Sequence, residues 1–170
     1  MPETFQPQEI LAALDGHGVD FVLIGGLAAT LHGSPHLTQD VDITPSLDSD
    51  NLTRLSAALT ELAARVRARG VEGGVPFSHD AQSFAEVRVW NLTTRYGDLD
   101  LSFVPSGTAG FDDLSRDATV IKLEGIDVRV ASLADVVRSK QAANRVKDQL
   151  TLPALREILA RRLEDGPAGG

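Results

Sequence analysis

Cysteine is absent from the 170 residues, so neither a disulfide nor a thiolate metal site can form, and a reducing compartment suits the chain. No apolar run approaches the roughly 18 residues of a membrane-crossing helix, so no membrane partner is expected. The opening MPETFQPQEI carries neither a basic segment nor an apolar stretch of the signal-peptide kind, and a cytoplasmic protein is expected. Positive charge is short as well: 16 Lys and Arg against 24 Asp and Glu leave a formal net charge of −8. That balance argues against indiscriminate nucleic-acid binding through bulk charge. Any nucleic-acid contact has to come from a local basic surface.

What is present is ordinary globular material, 42% hydrophobic and 24% charged, and long enough for a proper core. One domain is expected over residues 1–170, with its core over about 20–104. A hairpin and C-terminal helices are expected over about 105–163, and a frayed tail over 164–170.

The organising stretch is Phe21 to Pro45, FVLIGGLAATLHGSPHLTQDVDITP. Phe21–Ile24 is an apolar run ending on Gly25-Gly26, and a short Ala/Leu helix follows that Gly33 stops. A second strand then carries Asp40-Val41-Asp42. Positions i and i+2 of a strand share a face, so both carboxylates look one way while Val41 and Ile43 look into the core. Two like charges roughly 6–7 Å apart disfavour joint ionisation. A hard divalent cation removes that penalty, and Mg²⁺ is commonly held by one or two carboxylates plus substrate phosphates. The glycines let backbone N–H groups approach phosphate oxygens closely. Taken singly, Gly-Gly is a plain turn and the acidic pair a solvated cap. Together, in this order, they read as a metal–nucleotide site.

Elsewhere, Pro7–Leu14 fits a first helix with Ile10, Leu11 and Leu14 on one face, closed by Gly16 and Gly18. Asp48–Asn51 offers cap residues for a long helix to about Arg69, with Leu52, Leu55, Leu59, Leu62 and Val66 as its core stripe. On that helix Arg65 and Arg69 share a face and Arg67 points elsewhere. Gly70–His79 reads as a Gly/Pro-rich loop. From Phe84 to Val104 the period is two, with a turn at Arg95–Asp98. There Asp100 stands between the core residues Leu99 and Leu101, where a neighbouring strand would present a third carboxylate. Asp98 is its rival, although a turn position suits an exposed residue better. Ala118–Leu123 and Ile126–Val130, joined at Glu124-Gly125, form another hairpin.

Ser132-Leu-Ala-Asp135 is a capping-box pattern. In the helix behind it Lys140 falls on the apolar stripe of Leu133, Val136 and Val137. A buried ammonium is costly without a partner, so its tip either reaches an anion or snorkels to solvent. Arg138, Lys140, Arg145 and Lys147 form the densest basic cluster of the chain, ahead of a last helix over about Thr151–Arg162. A cationic wall opposite a carboxylate site is what a triphosphate needs.

The arrangement strand–GG–helix–Thr38-x-Asp40-x-Asp42, then Leu99-Asp100-Leu101, then SK-x-A-A-N-R-x-K-D, resembles the nucleotidyltransferase superfamily. Within it the match is to the small AbiEii/MenT-type toxins of toxin–antitoxin systems, over roughly residues 20–150. Two positions depart from the usual pattern: His36 where members often have Arg, and Gly26 where many have Ser. The resemblance implies an α/β (α+β) nucleotidyltransferase fold, a mixed β-sheet with helices packed against it. It implies Mg²⁺ (or Mn²⁺) on Asp40, Asp42 and Asp100, with Asp100 sharing a second metal or taking the proton of the attacking hydroxyl. It implies a nucleotide on Gly25, Gly26, Thr38, Lys140 and Lys147, with Asp148 orienting Lys140 or the base. The implied activity is transfer of NMP, commonly CMP, from an NTP to the 3′ end of tRNA, with a cognate antitoxin as partner. A transferase acting on a small hydroxyl compound, such as an aminoglycoside or lincosamide, uses the same strand motifs. A binding module on a degenerate fold is the alternative outside catalysis, and the filled acidic positions count against it.

Overall fold

Four consecutive apolar residues, Phe21–Ile24, make β1, and the chain turns at once into the seven-residue helix α2, Gly25–Leu31. In a computed structural model, which describes residues 5–166, this unit lies near the middle of an eight-stranded mixed sheet. The elements run α1 (Pro7–Gly16), β1, α2, β2 (Asp40–Pro45), α3 (Ser49–Glu61), β3 (Arg65–Ala68), β4 (Val71–Val75) and α4 (Ala81–Glu86). They continue β5 (Val89–Thr94), β6 (Gly97–Ser102), α5 (Phe111–Arg116), β7 (Thr119–Leu123), β8 (Ile126–Val130), α6 (Leu133–Ala143) and α7 (Val146–Glu164). Strand order is β4-β3-β5-β6-β2-β1-β8-β7.

Register decides what the sheet presents. β1 and β2 run antiparallel with Ile24 opposite Asp42. β2 and β6 run parallel, setting Asp40 beside Asp98 and Asp42 beside Asp100. Alternation then sends Val41, Ile43, Leu99 and Leu101 to the opposite face, where all four are fully buried. They join the leucines of α3 and the apolar face of α1 in one core. Asp48 starts α3 without a side-chain cap bond. The fully buried Asn51 ties that helix down instead, accepting from Asp20 N at 2.7 Å and donating to the carbonyls of Asp20 and Ser46, both at 2.9 Å.

Three regions differ from the sequence expectation. The long helix to Arg69 stops at Glu61, because Ala63 takes a left-handed backbone (φ 53) and reverses the chain. Arg65–Ala68 is therefore strand β3, Arg65 and Arg69 share no helix face, and the expected loop 70–79 contains strand β4. The period-two stretch loses its beginning to α4, capped by the Asp80 carboxylate on Ser83 N at 2.8 Å. The last helix begins at Val146, five residues before Thr151, and carries Pro153 inside it. The tail expected over 164–170 starts as the end of that helix, and residues 167–170 lie outside the described residues.

The α6–α7 pair closes the other side of the cleft. Ser132 caps α6 as its sequence pattern predicts, accepting from Asp135 N at 3.1 Å. The two helices meet at a left-handed Asn144 (φ 50). At its far end α7 is held to α2 by Arg162, which donates to His32 O at 3.1 Å. Among the described residues no helix is long and apolar enough to cross a membrane.

Candidate active site

Asp40, Asp42 and Asp100 converge: each offers a carboxylate oxygen, and these atoms lie within 4.8 Å of one another. Asp98 shares the strand face with Asp100 but stands one register step away, beside Asp40, and stays outside the cluster. Asp100 is thus the third carboxylate. All three side chains remain partly open to solvent, as a ligand set must.

The charges strain against one another. Burial, then repulsion from Asp40 and Asp100, push the Asp42 carboxyl up to about 7, against a counter-pull from Lys147. Burial likewise pushes Asp100 up, opposed by the Arg67 guanidinium beside it. A site of three hard oxygen donors that cannot comfortably ionise together fits a divalent cation such as Mg²⁺ or Mn²⁺.

The double-glycine turn is shaped around these carboxylates. Gly25 has φ +70, and a Cβ there would fall on the carboxylate of Asp42. A Cβ on Gly26 would lie 2.8 Å from Thr38 Oγ1. Thr38 itself donates from that hydroxyl to Asp40 Oδ1 at 3.0 Å, which fixes the first carboxylate. With seven residues, α2 adds little dipole, so the turn's contribution is close approach of backbone. His36 lines a cavity of about 250 Å³ together with Gly26, Thr38, Asp40 and Lys147.

Across the cleft, Lys140 is buried and its ammonium lies 3.4 Å from Asp148 Oδ1, so the ammonium has found an anion rather than open solvent. Asp148 is fully buried at the first turn of α7. It also accepts from Arg145 Nε at 2.8 Å and from the Arg145 backbone N–H at 3.1 Å. Burial alone would raise its pKa; the Arg145 hydrogen bonds and Lys140 outweigh that and hold it below the usual carboxylate range. Arg138 is turned away on Asp113 at 3.0 Å and Asp135 at 3.1 Å. Lys147 makes no ion pair among the described residues. It lines a cavity of about 320 Å³ with Gly25, Asp42, Asp100 and Lys140. The basic cluster is therefore mostly spent internally, and Lys147 is the cation it offers to the carboxylates.

One site residue escaped the sequence reading. Arg67, on β3, donates from Nη2 to Asp100 Oδ1 at 2.8 Å and from Nη1 to Leu92 O at 2.7 Å. The alternation Arg65-Val66-Arg67-Ala68-Arg69 is a strand signal that could have found it, overridden by the leucine stripe that runs into it. Beyond Arg67 lies a further cavity of about 680 Å³, walled by Phe5, Leu37, Glu72, Gly73 and Asp98.

No protein-family model matches the chain, and no curated protein matches it. Solved structures do. The lincosamide antibiotic adenylyltransferase LnuA, bound to lincomycin, superposes with a TM-score of 0.59 at 13% identity, over 92% of this chain and 99% of that one. The antibiotic-resistance factor ANT(2″)-Ia, in complex with adenylyl-2″-tobramycin, gives 0.57 at 18% identity, over 93% and 90%. A Thermotoga maritima protein with a provisional nucleotidyltransferase assignment gives 0.51 at 19% identity, over 94% and 97%. The chain has the nucleotidyltransferase fold.

Proposed function

We propose that this fold, with its carboxylates filled, makes the protein a divalent-metal-dependent nucleotidyltransferase that moves NMP from an NTP to a hydroxyl acceptor and releases pyrophosphate. The observation that carries the reading is the convergence of three carboxylate oxygens within 4.8 Å beside a turn where no Cβ fits. Asp40, Asp42 and Asp100 would hold Mg²⁺ or Mn²⁺, which when bound neutralises phosphate charge and polarises the phosphorus–oxygen bonds. Gly25 and Gly26 leave room for phosphates against the backbone. Lys147 and Lys140 meet the developing charge on the leaving side. Asp148 holds the Lys140 ammonium in place, and Thr38 orients Asp40. Asp100, beside Asp42 on the neighbouring strand, is the carboxylate we assign to take the proton of the attacking hydroxyl.

For the acceptor, the motif resemblance supports the 3′ end of tRNA, with CMP the group moved, in the cytoplasm, and with a cognate antitoxin protein that the neighbouring reading frame would reveal. One observation favours a second reading. Arg138, Lys140 and Arg145 are all paired with Asp113, Asp135 or Asp148, which leaves little of that cluster free for RNA and suits a small hydroxyl compound such as an aminoglycoside or lincosamide.

Incubation with each α-labelled NTP, Mg²⁺ or Mn²⁺, and either total tRNA or a panel of such compounds separates the two. Label on tRNA supports the first, label on a small compound the second. Absence of turnover on any acceptor, with Asp42→Asn indistinguishable from the parent, would overturn the enzymatic reading in favour of a binding module.

A further inference from the structure

Arg67 stands two strands away from the carboxylate it holds. β3 pairs with β5, Val66 opposite Leu92, and β5 pairs with β6, Asn91 opposite Asp100. The side chain crosses β5, binds the Leu92 carbonyl on the way, and ends on Asp100 Oδ1, with Nη1 also 3.5 Å from Asp98 Oδ2. A guanidinium presents its donors in a rigid planar fork, so two hydrogen bonds from different nitrogens, with the Asp98 ion pair beside them, fix its plane.

The strand pair outside it is irregular at this point. Pairing steps from Val66 opposite Val75 to Ala68 opposite Val71, so Arg67 alone faces Glu72, Gly73 and Gly74. Those two glycines have φ +78 and +76, and a Cβ on Gly74 would lie 2.6 Å from the Val66 carbonyl. Extra residues in one strand twist the pair and re-aim the side chain opposite them. The irregularity and the carboxylate contact are separate observations, and they meet on one residue.

We propose that Arg67 is a positioning residue for the third carboxylate: by tying Oδ1 of Asp100 it fixes the rotation of the group and keeps its second oxygen for the acceptor hydroxyl. The terminal torsion of an Asp side chain is broad, so an untied carboxylate swings between one-oxygen and two-oxygen ligation. Two-oxygen ligation uses up the oxygen that would take the acceptor's proton. The role rests on the nucleotidyl-transfer reading above, and it predicts opposite movements of rate and metal affinity. Removing the guanidinium takes a positive charge away from the carboxylates, so a cation binds more tightly while transfer slows.

The test uses the full chain with Arg67→Ala, Arg67→Lys and Arg67→Gln. Mn²⁺ affinity is read by electron paramagnetic resonance without nucleotide, and kcat and KM for NTP with the acceptor found for the parent. Arg67→Ala is expected to lower kcat about 10- to 100-fold, the usual effect of losing a partner behind a ligand. KM for NTP stays within about threefold, and Mn²⁺ binds roughly threefold more tightly or better. Ethylguanidinium added to Arg67→Ala restores part of kcat. Arg67→Lys returns Mn²⁺ affinity to the parent value with only part of the rate, since a point charge lacks the fork. A kcat within twofold of the parent, or rate and Mn²⁺ affinity falling together, overturns the assignment. Should Arg67→Ala fail to fold, Arg67→Gln keeps a donor for the Leu92 carbonyl and is judged by the same two readouts. A parent without transfer activity would sink the nucleotidyl-transfer reading instead, while the Mn²⁺ measurement still decides whether Arg67 acts on the carboxylates.

Discussion

Asp42 holds its proton to about pH 7 in the folded protein, against 3.8 for an ordinary aspartate, because it is buried between two other carboxylates. Between those values the folded chain binds a proton that the unfolded chain has lost. The stabilising contribution is complete below pH 3.8 and disappears as pH rises through 7, at up to about 1.4 kcal/mol per pH unit. Asp100, also raised, acts with the same sign. Asp148 acts oppositely, but its depressed pKa confines that effect to pH below the ordinary aspartate range. In chelator, the melting temperature of the parent should therefore fall from pH 5 to 8, and Asp42→Asn should flatten the fall while abolishing transfer. Added Mg²⁺ should recover the loss at pH 8 and do little at pH 5. Parallel pH curves for parent and variant would remove Asp42 as the cause. A second residue-scale outcome concerns Gly26, whose missing side chain leaves the place that Thr38 Oγ1 fills. Gly26→Ser alone should cost activity by displacing Thr38 from Asp40. Gly26→Ser with Thr38→Ala should recover most of it, and a pair no better than the single variant would show that the hydroxyl is not interchangeable between the two positions.

At the scale of elements, the junction of α6 and α7 depends on one buried charge. Asp148 accepts from Lys140 and Arg145 together, and Lys140 has little solvent of its own. Asp148→Asn keeps the shape but leaves that ammonium without its counter-ion, a loss of about 3–5 kcal/mol for a broken buried pair. Calorimetry should show a fall in melting temperature on the order of 10 °C. Lys140→Met with Asp148→Leu should regain stability and still bind NTP poorly, separating the pair's role in folding from its role at the cleft. Lys140 was legible in the sequence, since it fell on an apolar stripe, whereas Asp148 as its partner came from the motif resemblance and not from the spacing. The β1–α2–β2 unit was legible too, because strand, glycine pair and alternating acids each follow from local geometry. What stayed hidden was non-local or conformational. Nothing in Ala63 announces a left-handed residue, so the leucine stripe carried the helix on through Val66. Arg67 then vanished into a helix surface, and its carboxylate partner lies 33 residues downstream. The early start of α7 was missed for a similar reason: Asp148 holds it by accepting from the Arg145 backbone N–H, and Arg145 stands at the cap where a hydroxyl, carboxylate or amide acceptor is usual.

Over the whole molecule, the cleft lies between the acidic strand face and the α6–α7 pair in a protein of net charge −8. That geometry constrains how an acceptor is gathered. A polyanion such as tRNA is drawn in by cations whose neutralisation of phosphate releases counter-ions, with a slope of about 0.7 per contact for single strands. Arg138, Lys140 and Arg145 already carry carboxylate partners, so their net pull at a distance is small. Lys147 is the contributor left from the cluster, and the acids of the sheet face oppose it. If tRNA is the acceptor and the 138–147 cluster is what gathers it, log kcat/KM against log KCl between about 50 and 200 mM should have a slope shallower than about −2, because most cations of that cluster already hold carboxylates. Recognition would then rest on the terminal nucleoside and the cavity beyond Arg67, and a short 3′-terminal fragment should serve nearly as well as intact tRNA. A slope near −5 or steeper would require a basic track elsewhere on the surface and would place the RNA body against it. A small uncharged acceptor gives no such slope at all, and Lys147→Ala then raises KM for the NTP while leaving KM for the acceptor in place.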